Sequence, residues 1–129
     1  MAPGQQFSVK VVVQAGPARS VDAVQVYLDF DPAVLEVVNL SGGTALPRPL
    51  QSSFDNQLGR VNYAAGTLED PVAASFTLAT VEFRALARTG TGGTVLNFAP
   101  PAPPRQSRVS AGGGRDSSGN LTGAIIVVQ

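Results

Sequence analysis

The side chains in this sequence that could carry out acid–base or nucleophilic chemistry are few, and nearly all are carboxylates. The chain has no histidine and no cysteine, so the commonest general base and the thiol nucleophile are both missing. Asp29 and Asp31 stand two apart, and Glu69 and Asp70 are neighbours. A glycosidase needs two carboxyl groups that face each other at a defined separation. Asp31 followed by Pro32 is instead typical of a turn cap, and we predict no catalytic residue and no enzymatic activity.

Residues 116–120 place oxygen-bearing side chains at alternate positions, as the start of a calcium loop does. However, Leu121 stands where an EF-hand needs glycine, and Val127 where it needs the bidentate glutamate. The pattern therefore favours a hairpin loop, with calcium held by other loop oxygens as the alternative. We predict no cofactor and no set of metal ligands.

Composition indicates one globular domain with few charged residues on its surface. The 129 residues are 43% hydrophobic but only 14% charged, with a net charge of zero; a typical protein has about 25% charged residues. Binding to a nucleic-acid backbone needs clustered Lys or Arg, and the sequence has no basic run. No apolar run approaches the ~20 residues of a membrane helix.

Residues 21–38 are the most informative stretch, because an alternating strand runs into an Asp-Pro turn and continues into a second apolar segment. A side-chain period of two indicates a strand with one buried and one outward face. The predicted inward residues are Val24, Val26, Leu28 and Phe30, and the outward ones Ala23, Gln25, Tyr27 and Asp29. The strand should end at residues 31–32, with one helical turn capped by Asp31. Leu35, Val37 and Val38 then resume a buried, extended path.

The remaining pattern predicts short strands separated by turns. Predicted strands cover residues 7–14, 36–40, 59–65, 75–87, 94–98 and 121–128, with short edge strands near 50–54 and 108–111. Residues 75–87 change phase, which a β-bulge near Leu78 would explain. Val95 and Leu96 are the predicted buried residues of their strand. The proline-rich residues 99–105 could bind an aromatic groove as a polyproline helix, although a tether across one end of the domain is favoured.

Helical periodicity never lasts beyond about two turns, and the strands have no helices between them. We therefore predict an all-β fold: an antiparallel two-sheet β-sandwich with jelly-roll topology and about eight or nine strands.

The organising stretch resembles the signature of cohesin domains. Phe30-Asp31-Pro32, Val34-Leu35 and Val37-Val38 match the family's "Tyr/Phe-Asp-Pro-x-Val-Leu-x-Val" run, and Ala79-Thr80-Val81 with Phe83 is similar to its "Ala-Thr-Ile-x-Phe" strand. The resemblance covers about residues 5–128. It implies a single domain over residues 1–129, cut from a larger protein that is secreted or attached to the cell surface.

Cohesins bind dockerins, which are small calcium-loaded modules, through one flat sheet face. The resemblance therefore implies a dockerin partner on another protein. The implied partner-binding residues are Ala23, Gln25, Tyr27, Asn62, Leu78 and Thr80. Type I cellulosomal members tend to have Asn and Asp where this chain has Ala23 and Gln25, so the recognition of an ordinary type I dockerin is not implied.

Two other functions are compatible with the same scaffold. A carbohydrate-binding module would use exposed aromatic rings, but the chain has no tryptophan, and Tyr27 is the one tyrosine predicted to point outward. A structural spacer in an extracellular protein would need no ligand. Polysaccharide thus remains an alternative partner, whereas nucleic acid and membrane insertion are not expected.

Overall fold

The computed structural model describes residues 2–13, 20–21, 23–43, 46, 48–66, 72–73, 76–99, 107–111, 115–116 and 123–128. These residues form β-strands and turns, with no helix among them, and hence no helix that could span a membrane. The strands are β1 (Gln6–Val13), β2 (Ser20–Val21), β3 (Ala23–Asp29), β4 (Leu35–Gly42), β5 (Arg48–Asp55), β6 (Arg60–Gly66), β7 (Val72–Ala73), β8 (Phe76–Ala85), β9 (Thr94–Phe98), β10 (Arg108–Ala111), β11 (Arg115–Asp116) and β12 (Ala124–Ile126).

Two antiparallel sheets form the sandwich. The smaller sheet has the order β1-β8-β4, and the larger has the order β11-β10-β3-β6-β5, with β9 pairing both β3 and β12. The short strands β2 and β7 pair with each other. Eight of the strands have four or more residues. The predicted antiparallel β-sandwich is confirmed.

The core lies between the two sheets and is centred on Phe83 of β8. The Phe83 ring stacks on Phe7 of β1 at a centroid distance of 5.5 Å and meets the edge of Phe30, which follows β3, at 5.4 Å. Phe30 comes from the larger sheet, so these contacts join the two layers. The predicted inward residues Val24, Val26, Leu28 and Phe30 are buried, as expected from the period of two. The alternate residues Val61, Tyr63 and Ala65 of β6 are buried as well.

The Asp-Pro turn forms as predicted. The Ala33 N–H donates to Asp31 Oδ1 at 2.9 Å, and the Leu35 N–H donates to the Asp31 carbonyl oxygen at 3.0 Å. The aspartate side chain thus satisfies a backbone donor that the turn leaves unpaired. This single turn carries the chain from the larger sheet to β4 of the smaller one.

The predicted β-bulge near Leu78 is confirmed. Val11 of β1 pairs with Ala79, but Val12 pairs with Thr77, so Leu78 is an extra residue in β8. Consecutive residues Leu78 and Ala79 are both buried, because the bulge interrupts the alternation of faces. Leu78 therefore belongs to the core.

Two predictions of burial are wrong. Val38 is exposed, because the register of β4 against β8 shifts between Val37 and Asn39 and leaves Val38 as the extra residue. Val95 is exposed while its neighbour Leu96 is buried. Adjacent residues of a regular strand point to opposite faces, so only one of the pair can reach the core.

The last part of the chain differs in detail from the sequence prediction. The final strand is short, Ala124–Ile126, and Arg115–Asp116 form a two-residue strand at the start of the predicted hairpin loop. Residues 117–120 of the candidate calcium loop and residues 100–106, which include most of the proline-rich stretch, lie outside the described residues.

Candidate functional site

The outward face of the larger sheet is an ordered grid of small and polar side chains. In antiparallel strands, directly paired residues have side chains on the same face. The pairing of β3, β6 and β5 gives four outward rows. From one end to the other, the rows are Ala23–Gly66–Arg48, Gln25–Ala64–Gln51, Tyr27–Asn62–Ser53 and Asp29–Arg60–Asp55.

The Tyr27 side chain lies across the middle of this face. Its hydroxyl and Gln51 Oε1 are 3.3 Å apart and form a hydrogen bond. Tyr27 is on β3 and Gln51 on β5, with β6 between them, so the ring must pass over β6. Ala64 of β6 is outward by register yet only 8% exposed, as expected for a residue beneath the ring, and its small side chain leaves room for the ring.

The other edge of β3 is held by two separate segments. The Ala99 N–H donates to the Tyr27 carbonyl oxygen at 2.7 Å, and the Tyr27 N–H donates to Ser107 Oγ at 3.0 Å. β9 pairs with β3 on one side of this point and β10 on the other. The buried Ser107 hydroxyl thus replaces a missing backbone acceptor, and both backbone groups of Tyr27 are fixed.

One end of the face carries a row of alternating charge. Arg60 of β6 pairs with Asp29 of β3 and with Asp55 of β5. Asp55 Oδ1 also accepts hydrogen bonds from the N–H groups of Leu58 at 3.0 Å and Gln57 at 2.8 Å. These two backbone donors hold the pKa of Asp55 below its usual value, and the nearby Arg60 acts in the same direction.

Four of the six predicted partner-binding residues are brought together on this face. Ala23, Gln25 and Tyr27 follow one another along β3, and Asn62 is directly opposite Tyr27 on β6. The Asn62 Nδ2 donates to Ser53 Oγ at 3.4 Å, which continues the polar row onto β5.

The placement of Leu78 and Thr80 on the same face is wrong. Both are in β8, which belongs to the smaller sheet. Leu78 is only 2% exposed because the bulge turns it into the core. Thr80 pairs with Lys10 and Ser41, and so it lies on the outward face of the opposite layer.

Sequence reasoning missed three residues that help to build the face. Gln51 and Ser53 come from β5, and their alternation within the predicted edge strand could have identified them. Ala64 could not be recognised by its type, because its role depends on the path of the Tyr27 ring. Among the described residues, no three His, Cys, Asp or Glu side chains are grouped to hold a metal ion.

Comparison with known proteins identifies the family. The family model of the cohesin domain matches residues 1–100. A sequence search of curated proteins finds no match.

Solved structures share the fold at low sequence identity. A type I cohesin–dockerin complex from Clostridium thermocellum contains a chain with 11% identity and a TM-score of 0.78, covering 100% of this chain and 92% of that one. The cohesin module of a family 33 glycoside hydrolase from Clostridium perfringens has 13% identity and a TM-score of 0.77, with coverage of 98% and 87%. A type II cohesin from the cellulosome of Acetivibrio cellulolyticus has 15% identity and a TM-score of 0.70, with coverage of 95% and 84%. With the family model matching most of its length, the chain belongs to the cohesin family, whose members are protein-interaction modules.

Proposed function

We propose that this domain is a non-catalytic receptor for a calcium-loaded dockerin-type module on another protein. The binding surface is the outward face of the larger sheet. It includes Ala23, Gln25, Tyr27 and Asn62, together with Gln51 and Ser53 of β5.

The observation that carries this proposal is the position of the Tyr27 ring across the face. Its ring extends over β6 to Gln51, and its backbone is bonded on the far side to Ala99 and Ser107. An aromatic ring that is already ordered loses little conformational freedom on binding. Tyrosine is also among the residues that most often dominate the binding energy of a protein interface.

The remainder of the face suits a helical protein partner. Ala23 has only a methyl side chain and is partly exposed, so a helix backbone can approach the sheet closely beside the ring. Gln25, Asn62 and Ser53 supply amide and hydroxyl groups around the ring. This combination gives close packing with several hydrogen-bonding groups, as protein interfaces require.

The type of partner is proposed from the family and its complexes. The solved structures that share this fold include a type I cohesin–dockerin complex. Cohesins serve as modules of larger extracellular assemblies, and we propose that this domain belongs to a secreted or surface-attached protein. A glycan partner is less well supported, because Tyr27 is the only aromatic residue among the described outward positions of the larger sheet.

Calorimetric titration with a panel of dockerins tests the proposal. Binding should occur with calcium and disappear when a chelator is added, because dockerins hold their fold through calcium loops. Gln25→Ala should weaken binding. Affinity that persists in chelator with the same dockerin would contradict the proposal.

A further inference from the structure

The larger sheet has an exposed aliphatic end that the proposed interface does not yet include. Val95 of β9 is 55% exposed, and Ile125 of β12 is 67% exposed. The two residues are directly paired, so their side chains are neighbours on one face. Val127 follows Ile125 by two positions and is also exposed. Adjacent exposed aliphatic residues of this kind mark interaction sites more often than single ones do.

This aliphatic end, formed by Val95, Ile125 and Val127, is on the same face as Tyr27. Asn97 of β9 pairs with Asp29 of β3, and Asp29 is two residues from Tyr27 on the same side of β3. Val95 is two residues from Asn97 and therefore shares that side. The inward neighbours confirm the assignment, since Leu96 is buried and Ile126 packs against the core.

The adjacent turn lies close to Ile125. Gly93 has a φ of 74°, and a Cβ at this position would come within 2.8 Å of Ile125 Cγ2. A larger residue would push the side chain aside. Glycine at position 93 therefore leaves the room that the Ile125 side chain occupies.

The spacing suits one helix that crosses the strands obliquely. Val95 is about four residues further along the strand direction than Tyr27, which corresponds to roughly 13 Å at about 3.3 Å per residue. β9 is on the opposite side of β3 from β6, over which the Tyr27 ring extends, so the ring and Val95 are also separated across the strands by roughly 5–10 Å at about 4.8 Å per strand. A helix of about 15 residues is roughly 22 Å long, and when it lies obliquely across the face it can contact both the Tyr27 ring and the aliphatic end.

We propose that Val95 and Ile125, flanked by Val127, form an apolar anchor site for the same helical protein partner that contacts Tyr27. This inference rests on the proposed function. The centre of the face is rich in small and polar groups, whereas stable interfaces need large apolar side chains that become fully buried. Val95 and Ile125 supply them on the same continuous surface.

The test is a double variant, Val95→Thr with Ile125→Thr, against the matched control Val12→Thr. Threonine keeps the β-branch and the strand preference while replacing a methyl group of valine, or the ethyl group of isoleucine, with a hydroxyl. Val12 is 51% exposed but lies on β1 of the opposite sheet. Each variant is titrated with those calcium-loaded dockerins that bind the unaltered domain. Its thermal midpoint and the mass of the free domain in solution are also measured.

We expect the double variant to bind about tenfold more weakly or worse, and the Val12→Thr variant to bind as the unaltered domain does. Unchanged affinity of the double variant would overturn the inference and leave the proposed function intact. If no dockerin binds the unaltered domain, the proposed function fails and the inference fails with it. A free dimer that becomes monomeric in the double variant would assign the surface to a second copy and also overturn the inference. Should the double variant have a lower thermal midpoint, the single Ile125→Thr variant decides by the same criteria.

Discussion

The Tyr27 hydroxyl is hydrogen-bonded to Gln51 Oε1 at 3.3 Å, although β6 lies between the two strands that carry these residues. The ring therefore lies along the face and covers Ala64. This arrangement presents one side of an ordered ring to a partner, and it depends on the small size of the residue beneath.

Ala64→Leu should displace the Tyr27 ring and weaken dockerin binding by about tenfold or more, because the ring is proposed as the centre of the interface. The free energy of unfolding should change little, since the added side chain can extend toward solvent. Calorimetry gives the affinity and urea unfolding gives the stability. Normal binding by a folded Ala64→Leu variant would show that the ring position is unimportant.

Asn56→Ala should destabilise the domain by about 1–3 kcal/mol. The Val37 N–H donates to Asn56 Oδ1 at 2.8 Å, and Asn56 Nδ2 donates to the Val37 carbonyl oxygen at 3.0 Å. The amide thus acts as a strand partner for Val37, and its loss leaves two part-buried backbone groups without that partner. Urea unfolding measures the effect. Gln57→Ala, at the exposed neighbouring position, is the control and should be close to neutral.

Gly59→Ala should destabilise the domain by on the order of 2 kcal/mol or more. Gly59 has a φ of 73°, and an added Cβ would collide with the Phe30 carbonyl oxygen. Gly90→Ala is the control, because no heavy atom lies within 4 Å of a Cβ there. Equal thermal midpoints for these two variants would contradict the close approach of Gly59 to Phe30.

Asp55 should contribute to the pH dependence of stability. The pKa of Asp55 is lower in the folded state than its ordinary value, so its stabilising contribution is fully present above the unfolded-state pKa. That contribution is lost as the pH falls through the folded-state pKa. The stability difference between the unaltered domain and Asp55→Asn should therefore shrink on going from pH 7 into the acidic range. A difference that stays constant in urea unfolding over this range would exclude the proposed role of the charged carboxylate.

The period of two predicted the faces of individual strands well, because that alternation is a local property of the backbone. It placed Val24, Val26, Leu28 and Phe30 inside and Tyr27 outside. It could not show which sheet each strand joins, since strand pairing is long-range. Thr80 was therefore assigned to the wrong layer.

Two β-bulges and long-range strand pairing account for the other differences between the sequence prediction and the structure. The phase change in residues 75–87 indicated a bulge but not its effect on Leu78, which is turned inward. Val38 gave no local sign of its bulge, because an apolar residue there fits an unbroken buried path equally well. The contact of Tyr27 with Gln51 joins residues 24 positions apart in the chain, and only the order β3-β6-β5 brings them within reach.

The central claim is that the outward face of the larger sheet binds the partner, and a comparison of Tyr27→Ala with Thr80→Ala tests it most directly. Tyr27 is on that face and Thr80 is on the opposite one. Both variants are titrated by calorimetry with a dockerin that binds the unaltered domain in calcium. We predict that Tyr27→Ala reduces the affinity by about a hundredfold, corresponding to roughly 2.7 kcal/mol, and that Thr80→Ala has no measurable effect. The reverse order of effects would contradict the account and place the partner on the smaller sheet.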